Sequence, residues 1–122
     1  MSAEIILVIE DDVHIAGLVV QVLKEAGYAP EIVRDVGAAR TLAATGWRPA
    51  AMLSDLMIAG SRGPEHLRGE LAELFPGVPL ALMTGVTPKR RAAMGVDHDR
   101  VIEKPFELEA LLDAVSDLLA QP

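Results

Sequence analysis

Short apolar runs that end abruptly in a polar or charged residue constrain this chain most. Ile5–Ile9 stops at Glu10-Asp11-Asp12, Ala50–Leu53 runs into Ser54-Asp55, and Val78–Met83 stops at Thr84. A shorter run, Arg100–Glu103, ends at Lys104-Pro105. Runs of this length bounded by turn residues suit strands of a parallel sheet covered on both faces. Between them the period changes. Ile15, Leu18, Val19, Val22 and Leu23 recur at helical spacing, as do Leu67, Leu71 and Leu74. Leu108, Leu111, Leu112, Val115, Leu118 and Leu119 form the clearest stripe. With a short strand at Ile32-Val33, five strands alternate with five helices. That alternation predicts an α/β domain with a doubly wound parallel sheet.

The punctuation agrees. Asp12 is placed to N-cap the first helix and Gly27 to end it. Asp35 caps a helix over Gly37–Ala44 that closes at Gly46, and Trp47-Arg48-Pro49 is a loop. Pro64 suits a first helical position, and Thr87-Pro88 reads as a cap followed by the first residue of a short helix that stops by Gly95. Pro76-Gly77 turns the chain into the fourth strand.

Composition narrows the function classes. The 122 residues carry no repeats or linker, which predicts one domain over 1–122 with no output domain after the last helix. Apolar residues make up 51% of the chain and aromatics 3%, so the core is aliphatic. The absence of cysteine excludes disulfides, thiolate metal sites and thiol catalysis. A net charge of −7 disfavours direct nucleic-acid binding, because phosphate contacts dominate that affinity. No stretch reaches the ~18 apolar residues of a membrane span, so no membrane insertion and a cytoplasmic location are expected.

Right-handed crossovers bring all strand ends to one edge of the sheet. Glu10, Asp11, Asp55, Thr84 and Lys104 all stand at strand ends. With strand order 2-1-3-4-5, strands one and three flank the switch point where such sheets take ligands. Taken alone, Asp55 would more simply open a loop or cap a turn. Together, three carboxylates beside a hydroxyl and an ammonium call for a cation, and hard oxygen donors describe Mg2+ completed by phosphate oxygens. The chemistry that fits is phosphoryl transfer onto an aspartate.

Four segments resemble the response-regulator receiver domain: Ile5–Asp12, Met52–Gly63, Met83-Thr84-Gly85 and Glu103-Lys104-Pro105-Phe106. The resemblance spans nearly the whole chain and implies a flavodoxin-like (βα)5 fold, like that of the single-domain chemotaxis regulators. It implies that Asp55 is the phosphoacceptor and that Glu10, Asp11, Asp55 and the backbone carbonyl of Met57 hold magnesium. Thr84 then engages the phosphoryl group, Lys104 pairs with it, and the Lys104–Pro105 bond is cis. The phosphodonor implied is a histidine kinase or histidine phosphotransfer protein, with an unknown downstream protein as target. Such a domain catalyses only its own phosphorylation and dephosphorylation. Two positions and one stretch depart from the family's pattern. Ala59 replaces a proline, Val101 replaces an aromatic that reports phosphorylation, and residues 86–100 carry little apolar pattern. The resemblance also places apolar Met57 and Val86 beside the path of attacking water, which implies a long-lived phosphoryl group.

Two rival readings use the same residues. A small magnesium-dependent aspartate-nucleophile phosphohydrolase normally needs a second aspartate two places after the nucleophile, where Met57 stands. An interaction module of this fold, not controlled by phosphorylation, is the other. Elsewhere, His14, His66 and His98 are scattered and none pairs at metal-ligand spacing. Lys89-Arg90-Arg91 reads as a solvated basic turn or a patch for an acidic partner. Trp47 is expected to pack on the sheet's rim. Gly85 is placed as a hinge between Thr84 and the short basic helix.

Overall fold

The computed structural model of the chain describes residues 3–96 and 100–120. His98, expected at the surface, lies outside the described residues. Ten elements alternate as the sequence requires. They are β1 (Ile5–Ile9), α1 (Val13–Glu25), β2 (Ala29–Val33), α2 (Val36–Ala44), β3 (Ala51–Asp55), α3 (Pro64–Leu74), β4 (Leu80–Thr84), α4 (Pro88–Ala93), β5 (Val101–Glu103) and α5 (Leu108–Leu119). All strand pairs are parallel and the order is β2-β1-β3-β4-β5, so the expected doubly wound sheet is present.

The helix starts follow from local chemistry. Asp12 accepts from the amides of His14 and Ile15 at 2.9 and 3.1 Å, and these bonds hold its carboxyl below the ordinary range. Asp35 accepts from Ala38 N at 2.7 Å, and Thr87 from Arg90 N at 3.3 Å. Pro64 and Pro88 open α3 and α4, where a missing N–H costs nothing. The α1 C-terminus is closed by Gly27 at φ 93°, whose amide reaches Lys24 O at 3.0 Å.

Each face of the sheet has its own core. On one side α1 and α5 cover Ile6, Val8, Leu53, Ala81, Met83 and Ile102 with Val19, Leu23, Leu111, Val115 and Leu118. On the other, Leu7, Ile9, Met52 and Leu82 meet Val36, Ala39, Leu67, Leu71 and Phe75. Alternate residues of one strand therefore feed opposite cores, which is why β1 reads as an unbroken aliphatic run.

Besides shifts of one residue at the starts of α2 and β5, several details differ from the sequence reading. β2 begins at Ala29 rather than Ile32 and contains Pro30, which is tolerated because β2 is an edge strand paired only with β1. β4 covers Leu80–Thr84 rather than Val78–Met83. Leu18, counted in the α1 stripe, is 45% exposed, because the apolar arc of that helix is wider than the face it buries.

Candidate functional site

The switch point between β1 and β3 assembles the acidic residues. Ile9 lies opposite Ser54, so Glu10 and Asp55 leave adjacent strands at the same level. Glu10, Asp11 and Asp55 each offer one carboxylate oxygen, and these oxygens lie within 4.8 Å of one another. Lys104 comes in from the loop after β5, where the Lys104–Pro105 peptide is cis. Its Nζ donates to Glu10 Oε2 at 3.0 Å and lies 3.6 Å from Asp55 Oδ2. One ammonium thus bridges two carboxylates that would otherwise repel.

Burial grades the three acids. Glu10 is 1% exposed, Asp55 is partly buried and Asp11 is open to solvent. Glu10 also accepts from the Asp12 amide at 3.2 Å. Burial pushes its carboxyl above the ordinary value and the Asp55 charge adds to this, against the Lys104 bond. Between the ordinary and the raised value the folded state binds more protons than the unfolded one, so stability falls as pH rises through that window. Glu10→Gln is therefore expected to stabilise the metal-free fold at neutral pH, with the gain shrinking as pH drops to the unfolded value. Urea unfolding at both pH values checks this.

Met57 N points back to Asp55 Oδ1 at 3.4 Å, while Met57 is 55% exposed. Thr84 ends β4 one residue beyond Met83, which is the register partner of Asp55. It is 2% exposed, and its hydroxyl accepts from Val86 N at 3.0 Å. Its carbonyl accepts from Lys104 N at 2.8 Å, tying the ends of β4 and β5 together. The structure thus gathers Glu10, Asp11, Asp55 and Lys104 directly, with Thr84 alongside on the next strand.

Two buried charged groups near the site escaped the sequence reading. Glu70 of α3 accepts from Ser61 Oγ at 2.6 Å and Arg62 N at 3.2 Å, clamping the loop after β3. Arg91 belongs to the run read as a solvated basic turn or a patch for an acidic partner, both of which place it at the surface; it is 8% exposed and bonded to Val86 O and Glu103. No local pattern marks either, because only the docking of α3 and α4 buries them. His14 and His66, by contrast, lie outside the acidic cluster as expected.

The sequence matches the family described as Response regulator receiver domain over residues 6–116. It is 34% identical over 113 residues to the C4-dicarboxylate transport transcriptional regulatory protein DctD of Pseudomonas aeruginosa. It is 31% identical over 112 residues to the DNA-binding response regulator MtrA of Mycobacterium tuberculosis. Each match covers 90% of this chain, which spans only 24% of the first protein and 48% of the second. Among solved structures, the receiver domain of sensor histidine kinase PA1611 from Pseudomonas aeruginosa, with a magnesium ion coordinated in its active site cleft, superposes with a TM-score of 0.83. That match covers 98% of this chain and 100% of the other at 18% identity, and so speaks to fold alone. With the strand-end acids, the bridging lysine and the 2-1-3-4-5 sheet in place, the chain belongs to the response-regulator receiver domains of two-component signalling.

Proposed function

We propose that Asp55 accepts a phosphoryl group from a phosphorylated histidine of a kinase or phosphotransfer protein, in a magnesium-dependent reaction. The observation that carries this reading is the Lys104 ammonium bridging Glu10 and Asp55 beside a third carboxylate. The donor set suits the metal. Oxygens around an octahedral ion at about 2.1 Å sit about 3 Å apart when adjacent and about 4.2 Å when opposite, within reach of the cluster. Glu10, Asp11 and Asp55 would hold the ion, with the Met57 carbonyl as a backbone ligand. Bound there, magnesium would neutralise charge on the transferring phosphoryl oxygens.

The chain's own residues do the rest. An Asp55 oxygen forms a bond to phosphorus as the phosphorus–nitrogen bond of the donor imidazole breaks, and the electron pair leaves with the ring nitrogen. Lys104 then faces a group of about −1.5 to −2 charge and pairs with it. Thr84 has a hydroxyl proton free to donate, because its oxygen serves as acceptor for Val86 N. Glu10, already tied to Lys104 and the Asp12 amide, keeps the lysine in register with the acceptor.

In this reading residues 1–122 act as one receiver unit in the cytoplasm, signalling to a downstream protein rather than turning over substrate. Among the described residues no helix is long and apolar enough to cross a membrane. Treatment with a small acyl phosphate should give one phosphoryl adduct in intact mass with magnesium and none after chelation. A chain that takes no phosphoryl group in either condition is an interaction module instead, and sustained hydrolysis of phosphate esters would mark a phosphohydrolase.

The exposed Met57 side chain bears on lifetime. It is apolar and cannot orient a water for attack on phosphorus. Met57→Asn is expected to shorten the adduct's half-life about tenfold, less than the roughly 10²–10⁴-fold of a fully positioned general base, because an amide orients water without taking its proton. A decay time course after removal of donor checks this, and an unchanged half-life would reject the explanation.

A further inference from the structure

Helix α4 is held by a buried guanidinium. Arg91 Nη1 donates to Val86 O at 2.6 Å, and Nη2 lies 3.4 Å from Glu103 Oε1. A guanidinium stays charged and brings several rigidly oriented donors, so it is buried only where acceptors meet it. Here those acceptors lie on two other parts of the fold: the turn after β4 and strand β5. The position of Arg91 therefore reports where α4 sits relative to both.

The same turn is gripped from the other side by the site. Val86 donates its amide to Thr84 Oγ1 at 3.0 Å, while its carbonyl is held by Arg91. Glu103, the other anchor of Arg91, directly precedes Lys104, whose ammonium touches Glu10 and Asp55. If the Thr84 hydroxyl moves toward a phosphoryl oxygen on Asp55, the Val86 amide must follow or lose its acceptor. When Val86 follows, its carbonyl is drawn off the Arg91 guanidinium and that charge-assisted bond is lost. Val101, beside this network on β5, is apolar and contributes only packing.

We propose that Arg91 is the positioning residue that couples Thr84 to α4, so that phosphorylation of Asp55 is read out as a change in how α4 is held. This rests on Asp55 being the phosphoacceptor. It replaces a swinging side chain on β5 with a buried cation that links turn, helix and strand. A ligand that shifts a conformational equilibrium must contact the two states differently, and the Thr84–Val86–Arg91 chain supplies that difference.

The test is hydrogen exchange on the full chain with and without beryllofluoride and magnesium, with bound beryllofluoride followed by its fluorine resonance. In the wild type, beryllofluoride should raise exchange across residues 86–94 by about tenfold, the protection one charge-assisted hydrogen bond provides. Arg91→Met, similar in length but without donors, should show that raised exchange already in the free protein and gain little more on binding. Arg91→Lys should fall between, since one ammonium cannot serve both acceptors in the guanidinium's geometry. Should Arg91→Met unfold, Arg91→Lys and Glu103→Gln carry the comparison. Beryllofluoride bound at Asp55, with α4 exchange the same in wild type and variants, overturns the coupling and leaves the phosphoacceptor reading intact. No bound beryllofluoride in the wild type overturns both.

Discussion

Asp55→Asn should take up phosphoryl groups at least about a thousandfold more slowly than the wild type, the scale on which loss of a nucleophile shows. The amide keeps the shape of the carboxylate but not its charge. In the proposed reaction it removes the attacking oxygen, one of the three clustered carboxylates that would hold the metal, and the partner lying 3.6 Å from Lys104. All three losses act on one step, so they are not separable contributions. Lys104→Ala is the informative companion. It leaves Glu10, 1% exposed, without its cation and leaves the transferred group without its counter-charge. A slowing of about ten- to a hundredfold is expected, in line with removal of one preorganised stabiliser of developing charge. Intact-mass time courses with a small acyl phosphate measure both. An undiminished adduct in Asp55→Asn would move the acceptor elsewhere.

Phe75→Ala is expected to destabilise the fold by about 3–5 kcal/mol, a large share of the roughly 5–15 kcal/mol that holds a domain of this size. Phe75 is 1% exposed and lies just past α3, where its amide bonds to Leu71 O at 2.9 Å and its carbonyl accepts from Val78 N at 3.2 Å. Its ring meets Trp47 edge-on, with centroids 5.9 Å apart and planes at 78°. Edge-to-face contact adds to the burial of both rings. Phe75 is the one aromatic among the buried hydrophobic residues described, and its aliphatic neighbours leave a space of that size largely unfilled. Phe75 sits past the C-terminal end of α3, whereas the site lies beyond the carboxyl ends of β1 and β3. The loss should therefore appear in the urea midpoint, with the phosphorylation rate under native conditions unchanged. A rate loss matching the stability loss would mean the two ends of the domain are coupled more tightly than their packing suggests.

Much of the molecule is legible before any coordinate is known, where the physics is local. Asp12, Asp35 and Thr87 cap the helices that follow them because a short side-chain oxygen can reach an amide two or three residues on. Trp47, read as a loop aromatic that packs against the fold, does pack, with its ring edge-on to Phe75. The strand-end rule places Glu10, Asp11 and Asp55 on one edge because parallel strands with right-handed crossovers leave no other arrangement. β2 is the weak case. Its residues alternate poorly, and its length is set by the neighbour it pairs with rather than by its own sequence.

Apolar periodicity and strand-end polarity in the amino-acid sequence determined the element order, the two-faced aliphatic core and the identity of the acidic and basic residues at the switch point. They did so because helix and strand periods, caps and crossover handedness act over a few residues or along one element. The tertiary structure alone decided which charges are buried and what they hold. Arg91 stands in a run of three basic residues that reads as solvated, yet the docking of α4 against β5 and the turn after β4 encloses it. Glu70 becomes a clamp only because α3 packs its middle against the loop that follows Asp55. Lys104 meets Glu10 across 94 residues of sequence, at a distance set by the sheet. Burial and pairing of this kind depend on contacts between elements distant in the chain, and no local pattern encodes them.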